Sequence, residues 1–313
     1  MHYWHPSQSV LFWVMGYIYE MIISIIDIGT QSVKHYIFNV SGTDKKLLHY
    51  KRYSGANLGE HATLLPETIE RNIAILSECM ALNEKEGAEK TQMLGTDILR
   101  KALNADDFTS RIKNSFGLDI QILTHEEEAK LLYEGFIPLL KDDTVFSATN
   151  IGGGSTEVVI GDKNKLIESI KIPFGVKFLR QTFASGSDVD WKKLDEYLSE
   201  NIHVKNSSSK LFITGVLDFI SAVGPSLGIN LPSSDIPNHP VQMDMNSYPS
   251  LVEIIRKTPV EKLKELYPRD PNFCDNFGIG QSVYLAIAKK IGVKIIIPSN
   301  NDLTDGIIFE LTK

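Results

Sequence analysis

Only two cysteines, Cys79 and Cys274, occur in 313 residues. They are too few and too far apart for a disulfide framework or a metal site, so a reducing, cytoplasmic setting is the default expectation. No apolar run approaches the roughly 20 residues that crossing a bilayer requires, so no membrane partner is expected. Net positive charge is missing as well. At −7, the chain has no broad footprint for DNA, and a polyanionic ligand would need a locally basic cleft. A secretory leader is also poorly supported: Val10 to Ile18 is apolar, but no Lys or Arg precedes it, Glu20 follows, and no small-residue cleavage site is visible. Residues 1 to 20 are therefore expected to be a disordered or mis-called extension, with Met21 as the start.

Apolar residues make up 42% and charged residues 23%, ordinary values for a soluble globular chain long enough for two cores. Two glycine-bearing turns stand about 120 residues apart, each after an apolar strand: IISIIDIGTQSVKHYIF (22 to 38) and TVFSATNIGGGSTEVVIG (144 to 161). Each strand ends in a small acidic or amide residue, Asp27 or Asn150, followed by glycines and then hydroxyls, Thr30 and Ser32 or Ser155 and Thr156. Glycines free backbone N–H groups to point at an anion, so two such units facing each other would clamp phosphate. Ordinary hairpin turns are the competing reading.

Strand patterns at Ile22–Ile26, Lys34–Asn39 and Leu47–Tyr53 precede a helix over Leu64–Ala81, a strand at Gln92–Leu94 and a helix from Asp97 or Ile98. The same order restarts near Val145, which predicts a mixed α/β architecture used twice. His203 to Ser209 and the proline-bearing Gly228 to Asn246 read as loops. A late helix, Gly280 to Ile291, precedes a strand at Lys294–Ile297, and the final helix from Asp305 is expected to pack back near the hinge or first domain.

Four blocks resemble the exopolyphosphatase/guanosine pentaphosphatase (Ppx/GppA) family: DIGTQSVK at 27 to 34, GTDILRKALNADDF at 95 to 108, THEEEAKLLYEGF at 124 to 136 and NIGGGSTE at 150 to 157. Weaker matches follow at FGV (174 to 176), CDNFGIG (274 to 280) and SNNDLTDG (299 to 306). The resemblance implies an α/β fold of two ribonuclease-H-like domains, of the sugar kinase, actin and heat-shock ATPase superfamily, with the active site in the cleft between them. Those domains are expected over residues 21 to 124 and 125 to 313.

The resemblance also implies the site. The family's general base aligns with Glu128, whose task would be to take a proton from attacking water. Glu127 instead fits a capping box with Thr124, and all of Glu126 to Glu128 could simply be a solvated helix start. Phosphate contacts are expected from Gly29, Thr30, Ser32, Lys34, Arg100, Gly152, Gly153, Gly154, Ser155 and Thr156. For Arg100 the alternative is a surface salt bridge, and Lys34 lacks the planar fork of an arginine. Asp27, Asn150 and Glu157 are the expected oxygen ligands or neighbours of Mg²⁺ or Mn²⁺, Asp27 and Glu157 being alternatively turn or edge-strand residues.

Three residues depart from the family pattern: Asn150 replaces Asp, Thr304 replaces Arg or Lys, and Phe273 replaces Arg. The expected activity is release of terminal phosphate from inorganic polyphosphate or guanosine pentaphosphate. A phosphate or nucleotide sensor with impaired catalysis is the alternative that Asn150 raises, and a kinase is the third. The sequence leaves a homodimer open.

Overall fold

The computed structural model describes residues 20–30, 32–42, 44–54, 62–186 and 188–312. The expectation for the N-terminal extension thus lies outside the described residues except at Glu20. That residue belongs to the first strand: it pairs with Ser41 and its carboxylate accepts from Asn39 at 2.9 Å.

The first half opens with an antiparallel meander of β1 (Glu20–Ile28), β2 (Ser32–Ser41) and β3 (Asp44–Ser54). Then come α1 (Pro66–Glu86), β4 (Lys90–Gly95), α2 (Asp97–Lys101), α3 (Ala105–Phe116) and β5 (Ile120–Ile122). The sheet order is β3-β2-β1-β4-β5, with β4 parallel to β1 and β5 parallel to β4. β1 shows no polar alternation because both of its faces are covered. Ile26 and Ile28 pack with Leu76 of α1 and Phe108 of α3, while Ile23 and Ile25 pack on the opposite side. The helix expected from Asp97 is broken after Lys101, where Asn104 clamps the backbone of Leu64 through both its amide atoms at 2.8 and 3.0 Å.

The second half repeats the plan with β6 (Phe146–Ile151), β7 (Thr156–Gly161), β8 (Leu166–Ile172), α5 (Val176–Phe183), the short pair β9 (Ala184–Ser185) and β10 (Asp188–Val189), and α6 (Trp191–Asn201). It continues through β11 (Lys210–Ile213), α7 (Leu217–Val223), β12 (Ser233–Ile236), β13 (His239–Val241), β14 (Met243–Asp244), α8 (Tyr248–Lys257), α9 (Val260–Leu266), α10 (Pro271–Cys274), α11 (Phe277–Ile291) and β15 (Ile295–Pro298). Its order, β14-β15-β11-β6-β7-β8, is that of the first sheet with one short strand added at the edge. That strand and the β12–β13 hairpin replace the loop expected over 228 to 246. Strands of two to four residues between prolines carry no periodicity by which to recognise them.

Two further helices hold the halves together. α4 (His125–Glu134) directs Leu131 to the β1 side and Ala129, Leu132 and Tyr133 to Phe146 and Val159 of the second sheet. α12 (Leu303–Thr312), last in the chain, packs Leu303, Ile307 and Ile308 beneath Ile23 and Ile25 of the first sheet. It crosses α4 at Gly306, where a Cβ would lie 2.0 Å from the Leu131 carbonyl, so only glycine permits the approach. Cys79 and Cys274 are free, buried and in separate cores. Among the described residues, no helix is long and apolar enough to cross a membrane.

Candidate active site

The two glycine turns occupy equivalent places in the two sheets, between β1 and β2 and between β6 and β7. Each is closed in the same way: Gly29 N–H donates to the Ser32 carbonyl at 3.0 Å, and Gly152 N–H to the Ser155 carbonyl at 2.9 Å. Both face one cleft of about 730 Å³, including its open mouth. The first turn lines it with Asp27, Gly29, Thr30, Ser32 and Lys34, and the second with Asn150, Gly152, Gly153, Gly154, Ser155 and Glu157. Gly154 sits so close to Asp97 that a Cβ there would lie 2.6 Å from Oδ2.

Glu128 enters this cleft from the first turn of α4. Thr124 accepts from Glu127 N–H at 3.1 Å and Glu127 accepts from Thr124 N–H at 2.7 Å, so the capping box holds Glu127 outward. The next residue is thereby turned inward, with its side chain only 7% exposed. Burial pushes the Glu128 carboxyl up to about 7, although Arg100 draws it down. The charges of Glu157 and Asp27 add to the rise.

Arg100 stands behind the cleft lining, paired with two residues of it, Glu128 and, at 3.8 Å, Asp97. Its Nη1 donates to Glu128 Oε1 at 2.6 Å and also to the Leu123 carbonyl, and its Nη2 lies 3.2 Å from His125 Nδ1. The guanidinium thus grips Glu128 from behind. Thr156 departs similarly: it is fully buried and its hydroxyl donates to the Phe174 carbonyl at 2.9 Å, away from the lining. Ser155, though it lines the cleft, spends its proton on Glu157 Oε1 at 2.6 Å. Lys34 lies 3.6 Å from Asp27 and 3.7 Å from Asp302. Burial works against its charge, but Asp302 and Asp27 outweigh burial and raise its pKa.

The oxygen-rich donor set suits a hard divalent cation. Five carboxylates line the cleft (Asp27, Asp97, Glu128, Glu157 and Asp302) against the two cations Lys34 and Arg52. Burial raises the pKa of both Asp27 and Glu157, against the pull of Lys34 on the first and of Ser155 and Arg100 on the second. Asp97 Oδ1 is buried without a hydrogen-bond partner among the described residues. Such a set fits Mg²⁺, which takes a few carboxylate oxygens plus phosphate oxygens. His125, Glu128 and Glu157 also bring ligand atoms within 4.8 Å of one another, but Arg100 and Lys171 flank the histidine and oppose a second positive charge there. Asn150 is less available than expected: its Oδ1 already accepts from Thr214 at 3.0 Å, and its amide lowers the pKa of Glu157.

Arg52, Thr96, Asp97 and Asp302 line the cleft without having been anticipated. Asp97 and Asp302 lie inside the GTDILR and SNNDLTDG blocks, so the signal existed but carried no assigned role. Asp302 also accepts from the Tyr36 hydroxyl at 2.9 Å, and its Oδ1 accepts from Thr304 Oγ1 at 2.6 Å. Thr304 therefore serves an internal turn, and Phe273 lies in an aromatic cluster with Phe219 and Phe277.

Two sheets of one order around a cleft walled by paired glycine turns define the actin-like ATPase fold, here with the buried Glu128 carboxylate in the cleft lining. Within that class the chain belongs to the Ppx/GppA phosphatase family, whose model matches residues 47–313. It is 32% identical over 144 residues to a guanosine-5'-triphosphate,3'-diphosphate pyrophosphatase of Photobacterium profundum, a match covering 45% of this chain and 29% of that protein. It is 30% identical over 168 residues to a Haemophilus influenzae protein provisionally named exopolyphosphatase, covering 52% of each. The matches therefore span about a third to a half of these relatives' lengths. The fold is shared with the Aquifex aeolicus family member at TM-score 0.77, with 23% identity over 94% of this chain and 98% of that one. It is also shared with an exopolyphosphatase from Cytophaga hutchinsonii at TM-score 0.79, with 17% identity over 93% and 98%.

Proposed function

We propose that this protein hydrolyses the terminal phosphate of a linear phosphoanhydride, inorganic polyphosphate or guanosine pentaphosphate, with Glu128 as general base. One observation carries this reading: a buried carboxylate with a pKa of about 7 opens onto two glycine turns. A base poised near the working pH combines the right protonation state with driving force for proton transfer.

In this reading the N–H groups of Gly153 and Gly154 and the first-turn hydroxyl of Thr30 orient the terminal phosphoryl group. Glu128 takes one proton from water as the water oxygen bonds to phosphorus and the anhydride P–O bond breaks, so the leaving phosphate departs with the electron pair. Arg100 keeps Glu128 aimed and ionisable, and α4 excludes bulk water from behind it. A bound Mg²⁺, held by Asp27 and Glu157 with Asp97 in reach, would supply charge neutralisation for the phosphoryl oxygens. Asn150 would act there as an orienting neighbour of Glu157.

Phosphate release from polyphosphates of graded length, guanosine pentaphosphate and ATP, with and without Mg²⁺ or Mn²⁺, tests the proposal. Release from one of the first two that needs the metal and disappears in Glu128→Gln is expected. Release that persists in that variant would overturn the assignment.

A further inference from the structure

The register places Asp27, Lys34 and Arg52 side by side across β1, β2 and β3, and Asn150, Glu157 and Lys171 side by side across β6, β7 and β8. Directly opposed residues share a sheet face, so each half carries a row of three polar side chains that ends in a cation on the third strand. The outer cations diverge in use. Lys171 contacts His125, whereas Arg52 lines the cleft, close enough to Lys34 to work against its charge.

The other cations at this site already neutralise buried carboxylates. Lys34 serves Asp27 and Asp302, Lys101 lies 2.6 Å from Asp97, and Arg100 lies 2.6 Å from Glu128. Arg52 differs in where its partner stands. Among the described residues it pairs with Asp270, on the loop before α10 in the other half and outside the cleft lining, at 3.2 Å, with the two side chains 27% and 28% exposed. Asp270 has its own employment: its second oxygen, Oδ1, accepts from Phe273 N–H at 3.2 Å and caps α10. One partly solvated ion pair contributes little, whereas the planar fork of a guanidinium matches paired phosphate oxygens.

We propose that Arg52 is the subsite residue for a non-terminal phosphate of the substrate, and that Asp270 is its resting partner, given up when the polyanion enters. The proposal rests on the phosphoanhydride reading of the cleft and deepens it: Arg52 makes the site discriminate chains of several phosphates from single ones. Because Arg52 stands on the first sheet and Asp270 on the second half, the same exchange unties one link across the cleft.

The test is calorimetric binding of inorganic phosphate and of tripolyphosphate at fixed Mg²⁺, in the full chain carrying Glu128→Gln so that no ligand is consumed. Adding Arg52→Ala should weaken tripolyphosphate roughly tenfold or more while leaving inorganic phosphate within about twofold. Adding Asp270→Asn should do the reverse, tightening tripolyphosphate about threefold to fivefold by removing a competitor. Asparagine also caps helices well, so this variant tests the exchange without unfolding α10. If Arg52→Ala leaves the ratio of the two affinities unchanged, or Asp270→Asn weakens tripolyphosphate, the pair is a structural ion pair and the proposal fails alone. If the starting protein binds neither ligand, the reading of the cleft fails and takes this inference with it.

Discussion

Replacing Arg100 by glutamine isolates the link between fold and proposed chemistry, because the guanidinium touches Glu128 at 2.6 Å without lining the cleft. Everything else acting on Glu128 pushes its pKa upward: burial first, then the charges of Glu157 and Asp27. An adjacent cation typically lowers a carboxyl pKa by about 1 to 3 units, so its loss should carry Glu128 from about 7 to roughly 8 or above. At pH 7 the wild-type base is about half ionised and the variant's about a tenth or less, which predicts a roughly fivefold or greater loss of kcat/KM. The loss should shrink as pH rises through the variant's higher pKa, since the base itself is intact. Phosphate release measured from about pH 5.5 to 9.5 reads the rising limb directly. A limb that stays near pH 7 in Arg100→Gln, or a loss that high pH does not repair, would refute the assignment of Glu128 as base with Arg100 as its holder.

Glu128→Gln itself should lower turnover by about 10² to 10⁴ with ligand affinity within a few-fold, as single-turnover and binding measurements would show. Its stability carries a further signature. The folded Glu128 pKa lies above the unfolded value, so this group's contribution to stability is fully present below about 4.5 and is lost as pH rises through about 7. The variant should therefore gain on wild type by roughly 2 to 3 kcal/mol between about pH 5 and pH 8 in denaturant titrations. Asn150→Asp places a carboxylate beside Glu157, so it should lower the melting temperature without Mg²⁺, give a larger Mg²⁺-induced rise than wild type, and raise turnover at limiting metal. An unchanged metal response would show that Asp27 and Glu157 suffice. Gly306→Ala should cost about 3 kcal/mol or more by forcing α12 away from Leu131, against about 1 kcal/mol for removing the helix cap in Thr124→Ala. Thermal melts distinguish the two.

What the sequence determined by itself is what short stretches of chain decide locally. The β1 run, the glycines that close both turns and the Thr124–Glu127 box are legible because each is a matter of neighbouring residues: strand burial, freedom at a turn, a side chain bonding the third N–H onward. Placing Glu128 inward follows from the same cap, and the four motif blocks led to the family. Tertiary structure alone decided where long side chains reach. Arg100 bonds Glu128, Thr156 bonds the Phe174 carbonyl, and Asn150, while lining the cleft, accepts from Thr214. Asp302 arrives from the far end of the chain, inside a motif block that by itself gives it no role, and Arg52 arrives through strand register with no local pattern to announce it. The reason is physical: backbone conformation depends on residues a few positions apart, whereas the partner of a buried charge is whichever counter-charge the packed sheets and helices bring within reach, at any separation along the chain.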